Sequence, residues 1–483
     1  MGQKITIEPV TRIEGHGKVT IYLDNEGNVT TSRFHIVEFR GFEKFVQGRP
    51  YWEAPVLVQR LCGICPVSHH LAAAKATDVI VGAGYGDGLT PTGEKMRRLM
   101  HYGQVLQSHT LHFFHLASPD LLFGINADPS KRNIIGVALE NKELAYQGIM
   151  MRKFGQEIIR ATAGKKIHGT GAIPGGINKH LEQEDKEFFL NHPEININKI
   201  IDWSLGALDF FHNYHKKNKE IIDEFVSFPS NYLSLVRKDG ALDLYHGVLR
   251  AIDQDGNKIL NDVDYHEYYK YIEEEVRSWS YMKFPFLKKL GKEKGWYTVG
   301  PLARMNTIDF IDTPLAQKEF EKFRSYNNNK PSNKPMHQHW ARLIEILHCA
   351  EKIKELLNDP DLISGELITR GTKEYEGIGL LEAPRGTLFH HYKINEDDLI
   401  EKANLIVSTT NNNQPMNEAV AYVARKVMNG QQKITEGMMN AVEVAIRAYD
   451  PCLSCATHAL GQMPLEIELI SSNNELIDYK IRE

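Results

Sequence analysis

Cysteine is scarce. Five occur in 483 residues, an odd number and too few for a disulfide framework in a chain of this length. Long apolar runs are missing as well. No stretch of about eighteen apolar residues occurs, so no membrane span is expected. The first residues, Met1-Gly2-Gln3-Lys4-Ile5-Thr6, lack an apolar signal core and read as the start of a strand. Neither sign of charge dominates: the formal net charge is −5, which advertises neither nucleic acid nor another polyanion as partner. No Gly-x-Gly-x-x-Gly stands at a strand-to-helix junction, so a dinucleotide is not expected to bind this chain. A reducing, cytoplasmic setting fits these absences best.

What is present is concentrated. Four of the five cysteines form two Cys-x-x-Cys pairs near opposite ends of the chain, Arg60-Leu-Cys62-Gly-Ile-Cys65-Pro-Val-Ser-His69 and Asp450-Pro-Cys452-Leu-Ser-Cys455-Ala-Thr-His458. Each spacing lets two thiolates grip one metal, and two pairs make a four-sulfur site. Spacing alone leaves a structural zinc site open. Three features argue for a reactive metal instead. Structural zinc pairs usually lie close together in one small ribbon, whereas nearly the whole chain separates these. A body this long buries a large core and needs no metal staple. The flanking Arg60, Asp450 and two histidines are polar groups suited to tuning a metal from outside its ligand set. A site built from residues 62 and 452 also argues for one cooperative body, although length alone suggests about two to four domains.

Patterning gives the organisation. Residues 4–40 alternate short apolar runs with turn residues and predict a small antiparallel sheet. Helical periodicity follows from Glu53, with Pro66 placed to begin a helix, and again over 92–118 and 138–163. Gly169–Gly176 is a breaker-rich loop. A second long helix pair is predicted over 181–227, short strands over 230–262, a polar surface loop at Asn327–Pro335, and a helix over 337–357 holding a buried Cys349. Strands are expected around Arg385 within 375–410, then helices at about 414–428 and 433–448. The fold class is mainly α with peripheral β, an α+β body.

At this point the chain resembles the large, catalytic subunit of nickel–iron hydrogenases. The two cysteine segments look like that family's two signature motifs. Pro9-Val-Thr-Arg12-Ile-Glu14-Gly15-His16, Arg40-Gly-Phe-Glu43, Ile173–Gly176, Gly300–Asn306 and Glu382-Ala-Pro384-Arg385-Gly386 resemble further family blocks in the right order. The resemblance covers about residues 5–470 and looks most like the cytoplasmic, bidirectional, NAD-linked group. It implies the family's large-subunit fold, with a central bundle of long helices.

The resemblance also implies roles. Cys62 and Cys452 would be terminal nickel ligands, and Cys65 and Cys455 would bridge to an iron carrying carbon monoxide and cyanide. The implied reaction is reversible heterolytic cleavage of dihydrogen, with Cys452 as first proton acceptor and Glu14 relaying the proton outward. A desolvated glutamate suits that relay because its pKa can rise toward neutrality. Taken alone, Glu14 reads as an ion-pair partner of Arg12 or another cation. Arg385 would lie over the open face of the metals, Pro384 would shape that wall, and Thr409 would hydrogen-bond a cyanide. Asp450 would pair with Arg385, and His69 would hydrogen-bond a cysteine sulfur. Glu43, the carbonyl of Leu405 and His458 would hold a second divalent ion, magnesium or another. One departure stands out. Ser108, in Gln107-Ser108-His109-Thr-Leu-His112-Phe, takes a place where many large subunits have aspartate.

After four cysteines go to nickel, Cys349 alone cannot ligate an iron–sulfur cluster, which takes four. Electrons must leave through another chain. The resemblance supplies flavin-containing diaphorase subunits and an iron–sulfur small subunit. It also implies nickel-insertion proteins and a maturation endopeptidase that cuts after His458. The catalytic body is then 1–458, and 459–483 is an extension removed on maturation. The competing readings are a zinc-stabilised scaffold and a quinone-site subunit of the respiratory complex I type; the latter lacks the four cysteines.

Overall fold

The computed structural model describes residues 4–83, 88–431, 433–457, 465–471 and 476–482. About its centre run long helices, Pro66–Ile80, Pro91–Leu111, Lys142–Ala163, Ile197–Lys217 and Gln338–Leu357. Their starts follow from local chemistry. Thr90 caps the second, its side chain accepting from the Gly93 amide at 3.0 Å, with Pro91 at the first helical position. Asn141 and Asn196 cap the third and fourth in the same way. The Pro66–Ile80 helix is buried on every side, which is why its sequence, rich in alanine and valine, lacks a polar stripe. It forms the floor under the cysteines.

Among the described residues, three sheets of three or four strands surround the bundle. Lys4–Ile7, Gly17–Leu23 and Val29–Ile36 form the expected antiparallel sheet. Asn231–Val236, Val248–Ile252 and Lys258–Val263 form a second, extended by Tyr297–Thr298. The third is a meander of Glu376–Ala383, Gly386–Ile394 and Ile400–Ile406. This sheet lies directly on the Pro66–Ile80 helix. A Cβ at Gly379 would stand 2.0 Å from the Ala72 carbonyl oxygen, so only glycine permits that approach. The expected α+β architecture with a central long-helix body is what the chain adopts.

Several details differ from the sequence reading. The 92–118 helix stops at Leu111 and passes into a π-helical turn, His112–Ala117, before Ser118–Phe123. The 138–163 helix is broken at Asn141, with a separate Ile134–Glu140 turn before it. The pair predicted over 181–227 is three pieces, Gln183–Asn191, Ile197–Lys217 and Lys219–Ile222. Asparagine at each break competes for backbone hydrogen bonds and stops the helix. Near the C-terminus, Leu465–Ile470 and Leu476–Arg482 pair as an antiparallel hairpin.

Candidate metal centre

The first cysteine pair is set by a helix start. A 3-10 turn, Val58–Leu61, ends in extended Cys62, and Cys65 stands just before Pro66 at the head of the buried helix. Cys62 Sγ accepts from the amides of Ile64 at 3.1 Å and Cys65 at 3.4 Å. Unpaired amides at a helix start favour a thiolate there.

The second pair is seated by the N-terminal strand region. The Leu453 amide donates to the Glu14 carbonyl at 3.0 Å, and the Ser454 amide donates to Glu14 Oε2 at 3.1 Å. Gly15 makes that seat possible. Its φ is +84°, and a Cβ there would lie 2.8 Å from Leu453 Cβ and 2.9 Å from the Ser454 nitrogen. The Glu14-Gly15 pair of the motif is thus a carboxylate delivered to the cysteine turn and a residue thin enough to fit beneath it. The Cys452 amide is taken by Thr409 Oγ1 at 3.0 Å.

The four sulfurs converge. Cys62 and Cys452 Sγ are 3.3 Å apart, Cys65 and Cys455 Sγ 3.5 Å, and all four lie within 4.8 Å of one another. All are buried. As free thiols they share charge unequally. Hydrogen bonds from Cys452, then Cys455 and Cys65, hold Cys62 well below the ordinary thiol range, whereas burial pushes Cys452 and Cys455 well above it. A soft divalent ion draws the protons off the remaining thiols, since thiolates are the ligating form. Four buried sulfurs at bonding spread, with a cation nearby, fit the nickel site that the sequence implies.

That cation is Arg385. Ala383 pairs with Gly386 across the hairpin, so Pro384-Arg385 is its two-residue turn, driven into the core rather than left in solvent. A buried turn needs partners for its backbone carbonyls. Arg304 supplies them. It donates to the carbonyls of Ala383 at 3.0 Å and Pro384 at 3.2 Å, and it pairs with Glu345 and Glu382. Burial alone would raise the Glu345 carboxyl, but Arg304 and His109 outweigh it and hold it at about 2. Arg385 Nε donates to the Asp450 carbonyl at 2.6 Å and Nη2 to Asp450 Oδ1 at 3.1 Å. Its Nη1 has no protein partner, and neither does Asp450 Oδ2. Burial works against the guanidinium's charge, but Asp450 and then the thiolates push its pKa well above the usual value. Burial raises the Asp450 carboxyl against the pull of Arg385.

Arg385, Pro384, Thr409, His69, Ser68 and Val407 join Cys65, Cys452 and Cys455 around a tight space of about 10 Å³. His69 is tied to His390 at 3.1 Å, and His390 to the Tyr392 hydroxyl at 2.7 Å. Arg12 does not serve Glu14. It turns to Asp120 and the Leu116 carbonyl, so the ion pair considered from sequence is not formed. Beyond Glu14, Ser454 Oγ donates to Glu38 Oε2 at 3.3 Å, and Glu38 contacts the exposed His16.

Glu43 and Leu405 also meet: the Leu405 amide donates to Glu43 Oε1 at 2.7 Å. His458 lies outside the described residues. The preceding residue, Thr457, is described, and its carbonyl accepts from the Arg40 amide at 2.9 Å. Ser108 is buried, with a hydroxyl lacking a protein partner. Cys349 is a fully buried helix residue, as expected, its thiol pushed well up by burial. Arg304, Glu345 and His109 were not singled out from sequence. Arg304 lies in the Gly300–Asn306 block, but nothing local announces that its partners are some 40 and 80 positions away.

Buried thiolates gathered by a helical body, beneath an arginine in a buried hairpin turn, define a thiolate-ligated metalloenzyme. Comparison with known proteins gives the family. Residues 40–146 and 235–458 match the family model described as nickel-dependent hydrogenase, and residues 4–39 match one described as HoxL-like. The beta subunit of the NAD-reducing hydrogenase HoxS of Cupriavidus necator is 50% identical over 100% of both chains. One chain of the F420-non-reducing hydrogenase of Methanothermobacter thermautotrophicus is 41% identical over 98% of this chain and 99% of that one. A solved NAD+-reducing nickel–iron hydrogenase in the H2-reduced state superposes with a TM-score of 0.91 at 52% identity, covering 94% of this chain and 99% of that one. The Ni-Fe-Se hydrogenase of Desulfovibrio vulgaris Hildenborough shares the fold, with a TM-score of 0.75 at 24% identity, over 95% of this chain and 100% of that chain. The chain belongs to the nickel-dependent hydrogenase family, as the catalytic large subunit of a nickel–iron hydrogenase. The scaffold and quinone-site readings are set aside.

Proposed function

We propose that this chain carries out reversible dihydrogen cleavage for an NAD-linked hydrogenase of several subunits. The observation that carries the reading is the convergence of Cys62, Cys65, Cys452 and Cys455 beneath Arg385. Cys62, Cys65, Cys452 and Cys455 would hold the nickel, and Cys65 and Cys455 would also serve an iron bearing carbon monoxide and cyanide. When bound, this centre polarises dihydrogen for heterolytic cleavage and accepts its electrons.

The chain's own residues manage position and protons. Cys452 sulfur takes the first proton, because a terminal thiolate keeps more basicity than a bridging one. Glu14 receives it, held by its backbone and carboxylate on the turn that carries Cys452. Arg385 presents Nη1 to the enclosed space, its other nitrogens fixed by Asp450. Pro384 stiffens that wall and excludes water. Thr409 Oγ1 accepts from the Cys452 amide, and its hydroxyl hydrogen would be free to donate to a cyanide of the centre. His69 supports the Cys65 side.

Glu43, the Leu405 carbonyl and His458 would hold a second divalent ion, magnesium or another. Electrons leave through an iron–sulfur small subunit to flavin-containing diaphorase subunits, in the cytoplasm. Among the described residues no helix is long and apolar enough to cross a membrane. Nickel-insertion proteins and an endopeptidase complete maturation, and the mature chain ends at His458. Dihydrogen-dependent NAD+ reduction by the purified complex tests the reading. A complex that reduces a viologen dye with dihydrogen but never NAD+ removes the NAD link and keeps the hydrogenase.

A further inference from the structure

A second set of metal-competent side chains lies outside the cysteine cavity. His215 comes from the end of the Ile197–Lys217 helix, Asp223 follows the short Lys219–Ile222 helix, and His337 closes the Pro335–His337 turn. One ligating atom of each lies within 4.8 Å of the others. Asp223 is the hub. Its Oδ2 accepts from His215 Nε2 at 2.9 Å and from the Tyr326 hydroxyl at 2.6 Å. Its Oδ1 meets His337 Nε2 at 2.9 Å and Lys334 Nζ at 3.0 Å. The Tyr326 hydroxyl is also 3.3 Å from His215 Nε2. Both imidazoles are buried, while the Lys334 side chain is 30% exposed and Tyr326 opens to solvent.

Three observations separate this cluster from an ordinary ion pair. First, its donors are two imidazoles and a carboxylate from three separate elements, the kind of set that leaves a fourth position open on zinc. Second, His337 Nδ1 lies 2.8 Å from Ser332 Oγ. A hydroxyl accepts as well as it donates, so the ring can keep its proton on Nδ1 and turn the Nε2 lone pair inward. Third, the charge opposite Asp223 is the ammonium of Lys334, on a flexible stem at the solvent edge. It occupies the place of a cation and can swing away from one.

We propose that His215, Asp223 and His337 form a divalent-metal site for a late first-row ion such as Zn2+, with water or Tyr326 in the fourth position. Binding displaces the Lys334 ammonium into solvent and leaves each imidazole neutral, protonated on Nδ1. The ion ties the end of the Ile197–Lys217 helix to the Pro335–His337 turn. Imidazole and carboxylate select Zn2+ or Co2+ over magnesium.

The assembled holoenzyme, whose cysteines already hold their metals, is freed of loose ions by chelation and titrated with Co2+, read by visible absorption. Retained Zn2+ is counted after desalting. Wild type is expected to bind one ion beyond the catalytic metals, and Asp223→Asn to lose it. Ser332→Ala, which removes the Nδ1 partner, is expected to weaken binding by about 10–100-fold. Lys334→Met is expected to strengthen it by removing the competing charge, an outcome that a plain ion pair does not give. If Asp223→Asn fails to fold, these two variants decide alone. No extra ion in wild type, or affinity unchanged in both Ser332→Ala and Lys334→Met, overturns the site and leaves the hydrogenase reading untouched.

Discussion

Single side chains at the centre divide into those that handle protons and those that hold charge in place. Glu14 belongs to the first kind. Glu14→Gln keeps its size and the bond from the Ser454 amide but cannot titrate. Metal content is expected to stay near normal while dihydrogen turnover falls by about 10²–10⁴-fold, the range for a lost acid–base group. Full turnover in that variant means that protons leave elsewhere. Asp450 is of the second kind. Asp450→Ala leaves the Arg385 guanidinium buried without its carboxylate, which costs about 3–5 kcal/mol. A lowered unfolding temperature measures it, and an unchanged one contradicts the pairing. At this scale the sequence was informative wherever a residue sat inside a motif. The four cysteine sulfurs converge, Glu14 lies under the turn of Cys452, Arg385 pairs with Asp450, and Glu43 meets the Leu405 amide. Arg304, Glu345 and His109 escaped notice because a buried ion network leaves no periodicity or spacing to read.

Among the elements, the turn carrying Cys452 depends on a neighbour far away in sequence. Gly15→Ala forces a Cβ against Leu453 and Ser454 at a φ of +84°. The chain is expected to fold but to lose nickel, because the Cys452–Cys455 turn is pushed off its seat. Normal nickel loading in that variant would falsify the seat. Thr90→Ala removes a helix cap that accepts from Gly93 and is expected to cost about 1 kcal/mol, with no effect on metal content. One helix start was legible in Pro66, which fixes its own backbone angle, whereas Pro91, which begins the next helix in the same way, stands just outside the predicted 92–118 stretch. The π-helical turn at His112 was not legible, since it is decided by packing against other helices rather than by local preference, and the stops at Asn141 and Asn196 fall inside stretches whose helical period runs on past them.

For the whole molecule, buried histidines govern the response to acid. Burial pushes His70, His101, His109 and His348 down to about 4, so the folded state keeps them neutral where the unfolded chain is protonated. Their contribution is full above about pH 6.5, the unfolded value. It is lost as pH falls toward 4, because the unfolded state binds protons first. Apparent unfolding temperature is expected to drop steadily across that window, and a flat profile between pH 6.5 and 4 contradicts it. The chain's end is tested by intact mass. Active enzyme is expected to stop at His458, and full-length active chain contradicts the processing step alone. The central claim is that four cysteines from the two ends of the chain hold one nickel–iron centre. Its most direct test is metal analysis of the purified enzyme, with sulfur ligation read at the nickel absorption edge. One nickel per chain, with iron beyond what the partners' iron–sulfur clusters account for, and with nickel bound by sulfur at about 2.3 Å and lost in Cys65→Ser, is the predicted result. Zinc at the four cysteines of active enzyme, or nickel retained in full by Cys65→Ser, would contradict it.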